Sequence, residues 1–349
     1  MTVNNKNTIL VTGGTGYIGS HTVVALHERG YRVVIADNLS NSHRFMLDRI
    51  AEITGQAHPF YAIDLCDKKA LKALFEQEQD IVASIHFAAF KAVGESVEKP
   101  LTYYRNNLVS LMNLLEVQQQ FGVAKLVFSS SCTVYGEPDT LPVTEDSPIK
   151  PASSPYGNTK QMGEEIIADF TNVSGIKAIA LRYFNPVGAH HSALIGEYPN
   201  SVPNNLVPFI TQTAIGKQQE LKIFGSDYQT PDGTCIRDYI HVVDVAAAHI
   251  AALDRLMNHT DVQAFEVYNI GTGTGYSVLE MVKAFEKVSG KTLPYRLTNR
   301  RQGDIEKVYA DTSHSNKVLH WKAQKSLEEM MHSAWLWEQK LNSQTHTSK

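Results

Sequence analysis

The chain is poor in cysteine, in long hydrophobic runs and in charge of one sign, and each shortage removes a class of protein. Three cysteines in 349 residues, Cys66, Cys132 and Cys235, are an odd number without metal-ligand spacing. Neither a disulfide framework nor a thiolate metal centre is expected, and all three read as free thiols. The longest apolar stretches, such as Val33–Ala36 and Ile81–Ala83, have the length of strands and are far too short to span a membrane. Lys and Arg number 32 against 36 Asp and Glu, a net charge of −4. With no dense basic run, nucleic acid is not an expected partner. Met1–Asn7 is polar and leads straight into a strand pattern, so no signal peptide is read and the cytoplasm is the expected location. His190 and His191 are adjacent but lack a surrounding Asp, Glu or Cys cluster, so they predict a polar loop and no metal site. What remains is an ordinary globular composition, 43% hydrophobic and 19% charged, on a chain long enough for a sizeable core and two lobes.

The first half alternates strand and helix patterns. Strands are predicted at Thr8–Thr12, Arg32–Ala36, Pro59–Ile63, Ile81–Phe87, Lys125–Ser129 and Ile176–Tyr183. Helices are predicted at Ser20–Arg29, Lys68–Glu78, Tyr103–Phe121 and Pro155–Val173. This order, with near-continuous apolar strands, implies an α/β fold: a Rossmann-type, doubly wound parallel sheet covered on both faces. Ligands then bind at the carboxyl ends of the strands. After Asn185 the texture turns to loops around 188–203 and 225–234. Helices follow at Val207–Lys217, Val278–Ser289 and Lys325–Lys340, a strand and helix within Ile240–Leu256, and a strand at Val267–Ile270. The expected division is a cofactor-binding domain over 1–185 and a smaller C-terminal α/β lobe over 186–349 that binds substrate. Segments such as 238–256 are expected to return to the main domain. The tail Ser343–Lys349 is expected to fray.

The chemistry begins at Gly13, Gly16 and Gly19, between the first strand and the first helix. Their roles would be a tight turn, close approach of a pyrophosphate, and helix-on-strand packing, with phosphates favoured at the helix N-terminus. Asp37, ending the second strand, suits a ribose 2'-hydroxyl and would repel a 2'-phosphate, which favours NAD over NADP. Asp64 and Leu65 end the third strand, where an adenine is held. Phe87, Ala88 and Ala89 end the fourth with small residues that admit a cofactor, and Lys91 can reach a ribose or phosphate. Tyr156 and Lys160 lie one helical turn apart and share a face. A phenol acting as a base at neutral pH needs its pKa about three units below its usual value, roughly 4 kcal/mol. A nearby ammonium and a cationic nicotinamide can supply much of that. Ser131, at the end of the fifth strand, can face the same cavity and relay a proton. Plainer alternatives exist: a ligand-free glycine turn, capping aspartates at 37 and 64, strand-end packing at 87–91, strand-end hydroxyls at Ser129, and a surface pair for Tyr156 and Lys160.

Thr12-Gly-Gly-Thr-Gly-Tyr-Ile-Gly-Ser-His21, Lys91-Ala-Val-Gly-Glu-Ser96, Phe128-Ser-Ser-Ser-Cys-Thr-Val-Tyr-Gly136, Leu181-Arg-Tyr-Phe-Asn-Pro-Val-Gly-Ala-His190 and Arg237-Asp-Tyr-Ile-His-Val242 together resemble the UDP-glucose 4-epimerases. These form a branch of the extended short-chain dehydrogenase/reductase family, and the likeness runs from Ile9 to about Trp337. The resemblance implies tightly held NAD and reversible C4 epimerisation of UDP-galactose and UDP-glucose through a 4-keto sugar. Tyr156 would be the base on the sugar 4-hydroxyl, Lys160 would tune it and bind the nicotinamide ribose, and Ser131 would assist. Tyr17, Ile18, Asn38, Asn41, Ser42 and Asn106 would join the cofactor residues above, with Tyr183 and Phe184 on the nicotinamide side. Asn185, Asn205 and Leu206 would contact UDP. Lys222, Ile223 and Phe224 would pack on uracil, Arg237 and Arg301 would pair with the diphosphate, and Asp304 would hold a ribose hydroxyl.

Val308 stands where the family builds one wall of the sugar pocket. A tyrosine there restricts members to plain sugars, so valine implies that UDP-GlcNAc and UDP-GalNAc are also substrates. Family likeness also implies a homodimer through helices carrying Leu108, Leu111, Met112 and Leu115 and Met162, Ile166 and Phe170; intramolecular packing is the alternative. Three rival functions are weighed. A 4,6-dehydratase needs an acid pair after the strand-end hydroxyl, whereas Cys132 and Thr133 follow Ser131. A UDP-glucuronate 4-epimerase needs a site for the sugar carboxylate, and nothing around Val308 excludes one. A non-catalytic NAD-sensing module usually loses the tyrosine or lysine, and this chain keeps both.

Overall fold

The computed structural model describes residues 7–347 except 201, 202, 204, 302 and 303. The first half runs β1 (Thr8–Thr12), α1 (Tyr17–Glu28), β2 (Arg32–Ala36), α2 (Phe45–Thr54), β3 (Phe60–Tyr61), α3 (Lys68–Gln77), β4 (Ile81–His86), α4 (Val93–Glu98), α5 (Pro100–Gln120), β5 (Lys125–Ser131), α6 (Pro155–Ser174) and β6 (Lys177–Tyr183). The second half runs β7 (Asn185–Val187), α7 (Leu206–Ala214), β8 (Leu221–Phe224), β9 (Ile236–His241), α8 (Val242–Asn258), β10 (Phe265–Ile270), β11 (Gly275–Ser277), α9 (Val278–Ser289), β12 (Tyr295–Thr298), β13 (Lys307–Val308), α10 (Ser313–Val318) and α11 (Leu327–Thr347).

Seven parallel strands form the main sheet in the order β10-β6-β5-β4-β1-β2-β3. The period-2 geometry of a strand splits its apolar residues between two covered faces. On β1, Ile9 and Val11 pack into the layer that includes Val23 of α1 and Leu253 of α8. Leu10 packs into the opposite layer with Leu74 of α3, Leu114 of α5 and Ile167 of α6. The chain winds outward from β1 in one direction and from β4 in the other, which opens the crevice between those two strands to a ligand. The C-terminal half has its own core, including Ile210, Tyr239, Phe285 and Trp335. There β9 pairs in parallel with β7 and β13 and antiparallel with β11, and β8 pairs with β12.

Several elements differ from expectation. Helix α1 starts at Tyr17, three residues early, so the glycine turn feeds straight into it. Strand β3 shrinks to Phe60–Tyr61. Helices α2 and α4 have no counterpart in the sequence reading; α2 buries only Met46 and Ile50, a stripe too thin to be read by periodicity. Leu108, Leu111 and Leu115 are buried inside the chain, leaving Met112 as the exposed member of that stripe. No glycine or proline interrupts Leu327–Thr347, and α11 continues through the stretch expected to fray; Ser348 and Lys349 lie outside the described residues.

Candidate active site

The glycine turn lies at the mouth of the crevice. Gly13, at φ +70, crosses so close to β4 that a Cβ would sit 2.8 Å from the Ala88 nitrogen. A Cβ on Gly19 would sit 2.2 Å from the Gly13 oxygen, so only glycine lets α1 pack on the turn. A Cβ on Gly16 would meet just the Gly13 oxygen, at 3.1 Å, with space beyond. No side chain caps α1, so its first-turn N–H groups have no side-chain acceptor, an arrangement that a phosphate completes. Ile18 packs partly against the core.

Asp37 organises the neighbouring loop. Its carboxylate accepts the Thr15 N–H at 3.2 Å, the Leu39 N–H at 2.9 Å and the Ser42 hydroxyl at 3.0 Å. Asn38 turns back onto the Ser40 N–H, and Asn41 is exposed. Asp64 accepts the Cys66 N–H, and the carbonyl of the buried Leu65 takes the Asn113 amide. Beyond Phe87 and Ala89, Asn107 grips both backbone groups of Phe90, at 2.8 and 3.0 Å, and donates to Thr159 of α6. Asn106, expected at the cofactor, donates to Asn107. Sequence reasoning missed Asn107, whose partners lie 17 and 52 residues away.

Ser154 caps α6 by accepting the Gly157 N–H, and Pro155 opens the helix, which fixes Tyr156 in its first turn. Ser131 lies near enough to the Tyr156 phenol to favour its ionised form. Lys160 donates to the Ser129 carbonyl at 2.6 Å and lies 6.0 Å from the Tyr156 ring centre. The structure thus brings the three residues together, all nearly inaccessible. Burial pushes the Lys160 ammonium down to about 8, against the pull of Glu164. It also pushes the Tyr156 phenol above its usual range, helped by Tyr183 and opposed by Ser131. In the chain alone, desolvation of the phenolate prevails; the expected lowering rests on Lys160 and a cationic nicotinamide together. The Ser129 and Tyr183 hydroxyls bond to one another.

Behind the trio lies an ion pair that the sequence reading did not find. Arg182 of β6 holds Glu164 through Nε at 3.0 and 3.2 Å and Nη2 at 2.6 Å. Ser130 also donates to Glu164, and Arg182 donates to the Tyr135 hydroxyl at 3.0 Å. The available signal was the spacing of Glu164 one turn after Lys160.

The C-terminal half supplies the opposite wall. The Asn185 side-chain oxygen is buried without a hydrogen-bond partner, a vacancy that a ligand donor would fill. Val308 is 5% exposed and packs with Phe184, Val134 and Tyr135; it pairs with Arg237 across β13 and β9. The Arg237 charge acts on Cys132, the residue after Ser131, so the two halves meet here. Arg301 bonds Asp304 at 2.8 Å and lies 5.5 Å from the Phe224 ring centre. Strand alternation exposes Lys222 and Phe224 but buries the Ile223 side chain in the lobe core, contrary to the expectation that all three pack on a base. Asn205 precedes α7 and donates to Glu197, with Leu206 half-buried as the first helical residue. Among the described residues no cluster of His, Cys, Asp or Glu could hold a metal, and no helix is long and apolar enough to cross a membrane.

A family model described as GDP-mannose 4,6 dehydratase matches residues 10–334. The UDP-glucose 4-epimerase of Bacillus subtilis (strain 168) is 54% identical over 331 residues, 95% of this chain and 96% of the relative. The chain belongs to the UDP-glucose 4-epimerase family. Among solved structures, this family member resembles the Bifidobacterium longum UDP-glucose 4-epimerase in complex with NAD+ and UDP, with a TM-score of 0.90, 46% identity, and 95% and 98% of the two chains covered. It also resembles the UDP-Glc/GlcNAc 4-epimerase of Campylobacter jejuni, with a TM-score of 0.82, 40% identity, and 96% and 99% covered. Cys132 and Thr133 follow Ser131, where the dehydratase reading expected an acid pair.

Proposed function

We propose that the chain is an NAD-dependent UDP-glucose 4-epimerase that interconverts UDP-galactose and UDP-glucose. The observation that carries this reading is the buried Ser131–Tyr156–Lys160 trio beside an uncapped, glycine-lined helix start. Bound NAD would take two electrons from sugar C4 and return them. The space at Gly16 and the first turn of α1 fit its diphosphate, Asp37 its ribose hydroxyls, and Lys160 the nicotinamide ribose. Tyr156, as phenolate, takes the proton of the 4-hydroxyl, with Ser131 sharing it. The same phenol gives the proton back to the opposite alcohol, so the enzyme ends each turnover as it began.

Between these steps the 4-keto sugar must turn about its link to the diphosphate. UDP must therefore be gripped while the sugar stays loose, and remote binding energy keeps the intermediate in place. Arg237, Arg301, Asp304, Phe224, Lys222, Leu206, Asn205 and Asn185 are the residues for that grip. Residues 1–185 would carry the cofactor and 186–349 the UDP-sugar. Val308 is smaller than a tyrosine and leaves room for an acetamido group, so UDP-GlcNAc and UDP-GalNAc belong to the substrate range. The Campylobacter jejuni relative, named for both kinds of sugar, supports this. Exposed Leu101 and Met112 on α5, beside Met162 and Ile166 on α6, fit a homodimer through these helices. Free thiols at Cys66, Cys132 and Cys235 fit the cytoplasm.

The test is proton NMR of the purified protein mixed with UDP-galactose and no added NAD. Appearance of the UDP-glucose anomeric signal is expected. UDP-galactose that persists after NAD is supplied overturns the reading, and UDP-glucuronate becomes the substrate to try.

A further inference from the structure

The loop over residues 188–200 is a strap fastened at both ends and pulled across the junction of the two halves. Tyr17, the first residue of α1, donates its hydroxyl to the Gly188 carbonyl at 2.6 Å. Ala189 and Gly196 bridge to each other, and the Ala189 N–H donates to Ser333 of α11 at 3.1 Å. Gly196 lies so flat on Trp337 that a Cβ would sit 2.6 Å from the indole, and the indole N–H donates to the Glu197 carbonyl at 2.9 Å. The next residue, Tyr198, packs edge-on against His43 and Phe45, just past the Asp37 loop. The strap therefore spans from the glycine helix to the closing helix.

At its centre stands a carboxylate in an unexpected place. The Glu197 side chain is 12% exposed, between sites read as binding two diphosphates, where a negative charge opposes the ligands. One of its oxygens, Oε1, accepts both the Lys91 ammonium at 2.9 Å and the Asn205 amide at 2.7 Å. Lys91 lies over the Tyr17 ring, beside the start of α1, and is the cation read as reaching the cofactor. Asn205, at the start of α7, is the amide read as reaching UDP. The two donors come from opposite halves of the chain, and no other acceptor for either is seen among the described residues.

We propose that Glu197 is a positioning residue that latches the cofactor-side Lys91 to the substrate-side Asn205, so that each ligand holds the other in place. The inference rests on the epimerase reading above. A single carboxylate oxygen fixes the separation of the two donors; a ligand that orders one of them orders the strap and hence the other. Coupling of this kind is reciprocal: UDP must slow the loss of NAD, and NAD must tighten UDP. Glu197 touches no reacting atom, so its loss acts on retention and KM more than on kcat.

The test follows NAD leaving the purified holoenzyme during dialysis, with and without UDP, for the native chain and for Glu197→Gln and Glu197→Ala. UDP is expected to slow the loss by a factor of about five or more in the native chain, and by about twofold or less in both variants. In NAD-saturated variants KM for UDP-galactose is expected to rise by more than kcat falls. UDP protection in both variants equal to that of the native chain overturns the latch, as does absence of protection in a native chain that binds both ligands. A native chain that binds neither NAD nor UDP overturns the epimerase reading along with it.

Discussion

At the scale of single residues, the decisive number is the free energy of a buried phenolate. Burial holds Tyr156 protonated in the chain alone, and Lys160 spends its one short bond on a backbone carbonyl. The Lys160 ammonium keeps its charge, 6.0 Å from the Tyr156 ring centre, and an oxidised nicotinamide would add to it in favouring the phenolate. Tyr156→Phe removes the hydroxyl and little else. It is expected to lower kcat by about 10²- to 10⁴-fold while NAD remains bound, and undiminished turnover would remove Tyr156 from the mechanism. Val308 is the second informative residue. Val308→Tyr is expected to abolish activity on UDP-GlcNAc and leave UDP-galactose turnover within about a factor of ten, since added bulk in a packed wall costs binding only for the larger sugar. Equal loss on both sugars would show a damaged site and no gate. The glycine turn, Tyr156, Lys160 and Ser131 were legible in the sequence because each belongs to a short motif, at a strand end for the glycines and Ser131 and on one helical turn for Tyr156 and Lys160. Asn107, Arg182 and Glu197 were not legible, because each works through at least one partner 17 to 106 residues away.

At the scale of elements, the catalytic helix is held in register by the Arg182–Glu164 pair. That pair ties α6 to β6, and Ser130 ties it to β5, one residue from both Ser129 and Ser131. It therefore fixes the two contacts on which the trio depends. Glu164 also holds up the Lys160 ammonium, which burial lowers to about 8. Glu164→Gln removes that support, so the alkaline limb of the kcat profile is expected to move to lower pH. Leaving Arg182 buried without its carboxylate is expected to cost about 3–5 kcal/mol of stability, read as a lower Tm. A profile unmoved by the substitution would show that Glu164 is structural only. Periodicity located the helix but could not see this pair, which depends on how α6 lies against the sheet. The same limit applies to Leu111 and Leu115, for which the sequence left a dimer interface and intramolecular packing both open and which lie in the core.

At the scale of the whole molecule, the two halves are interleaved. Strand β10, from the C-terminal half, completes the main sheet beside β6, and α8 packs against α1. The seam collects histidines: the His21 and His190 rings are 6.4 Å apart, and His249 packs between Phe87 and Tyr183. Burial lowers His21 to about 3, and His190, His241 and His249 to about 4. A histidine whose folded pKa is depressed stays neutral in the fold but takes a proton in the unfolded chain. Stability is therefore full above the unfolded value of about 6.5 and falls as pH drops toward 4, by up to ~1.4 kcal/mol per pH unit for each ring. The buried Asp238, Asp244 and Glu145, which burial pushes upward, act in the opposite sense, so a difference measurement isolates the histidines. His249→Phe keeps a ring of similar size and removes both nitrogens, one of which has no partner. Thermal unfolding followed from pH 7 to pH 5 is expected to show a fall in Tm for the native chain and a shallower fall for the variant. Equal slopes would mean that protonation at this seam does not open the molecule in acid.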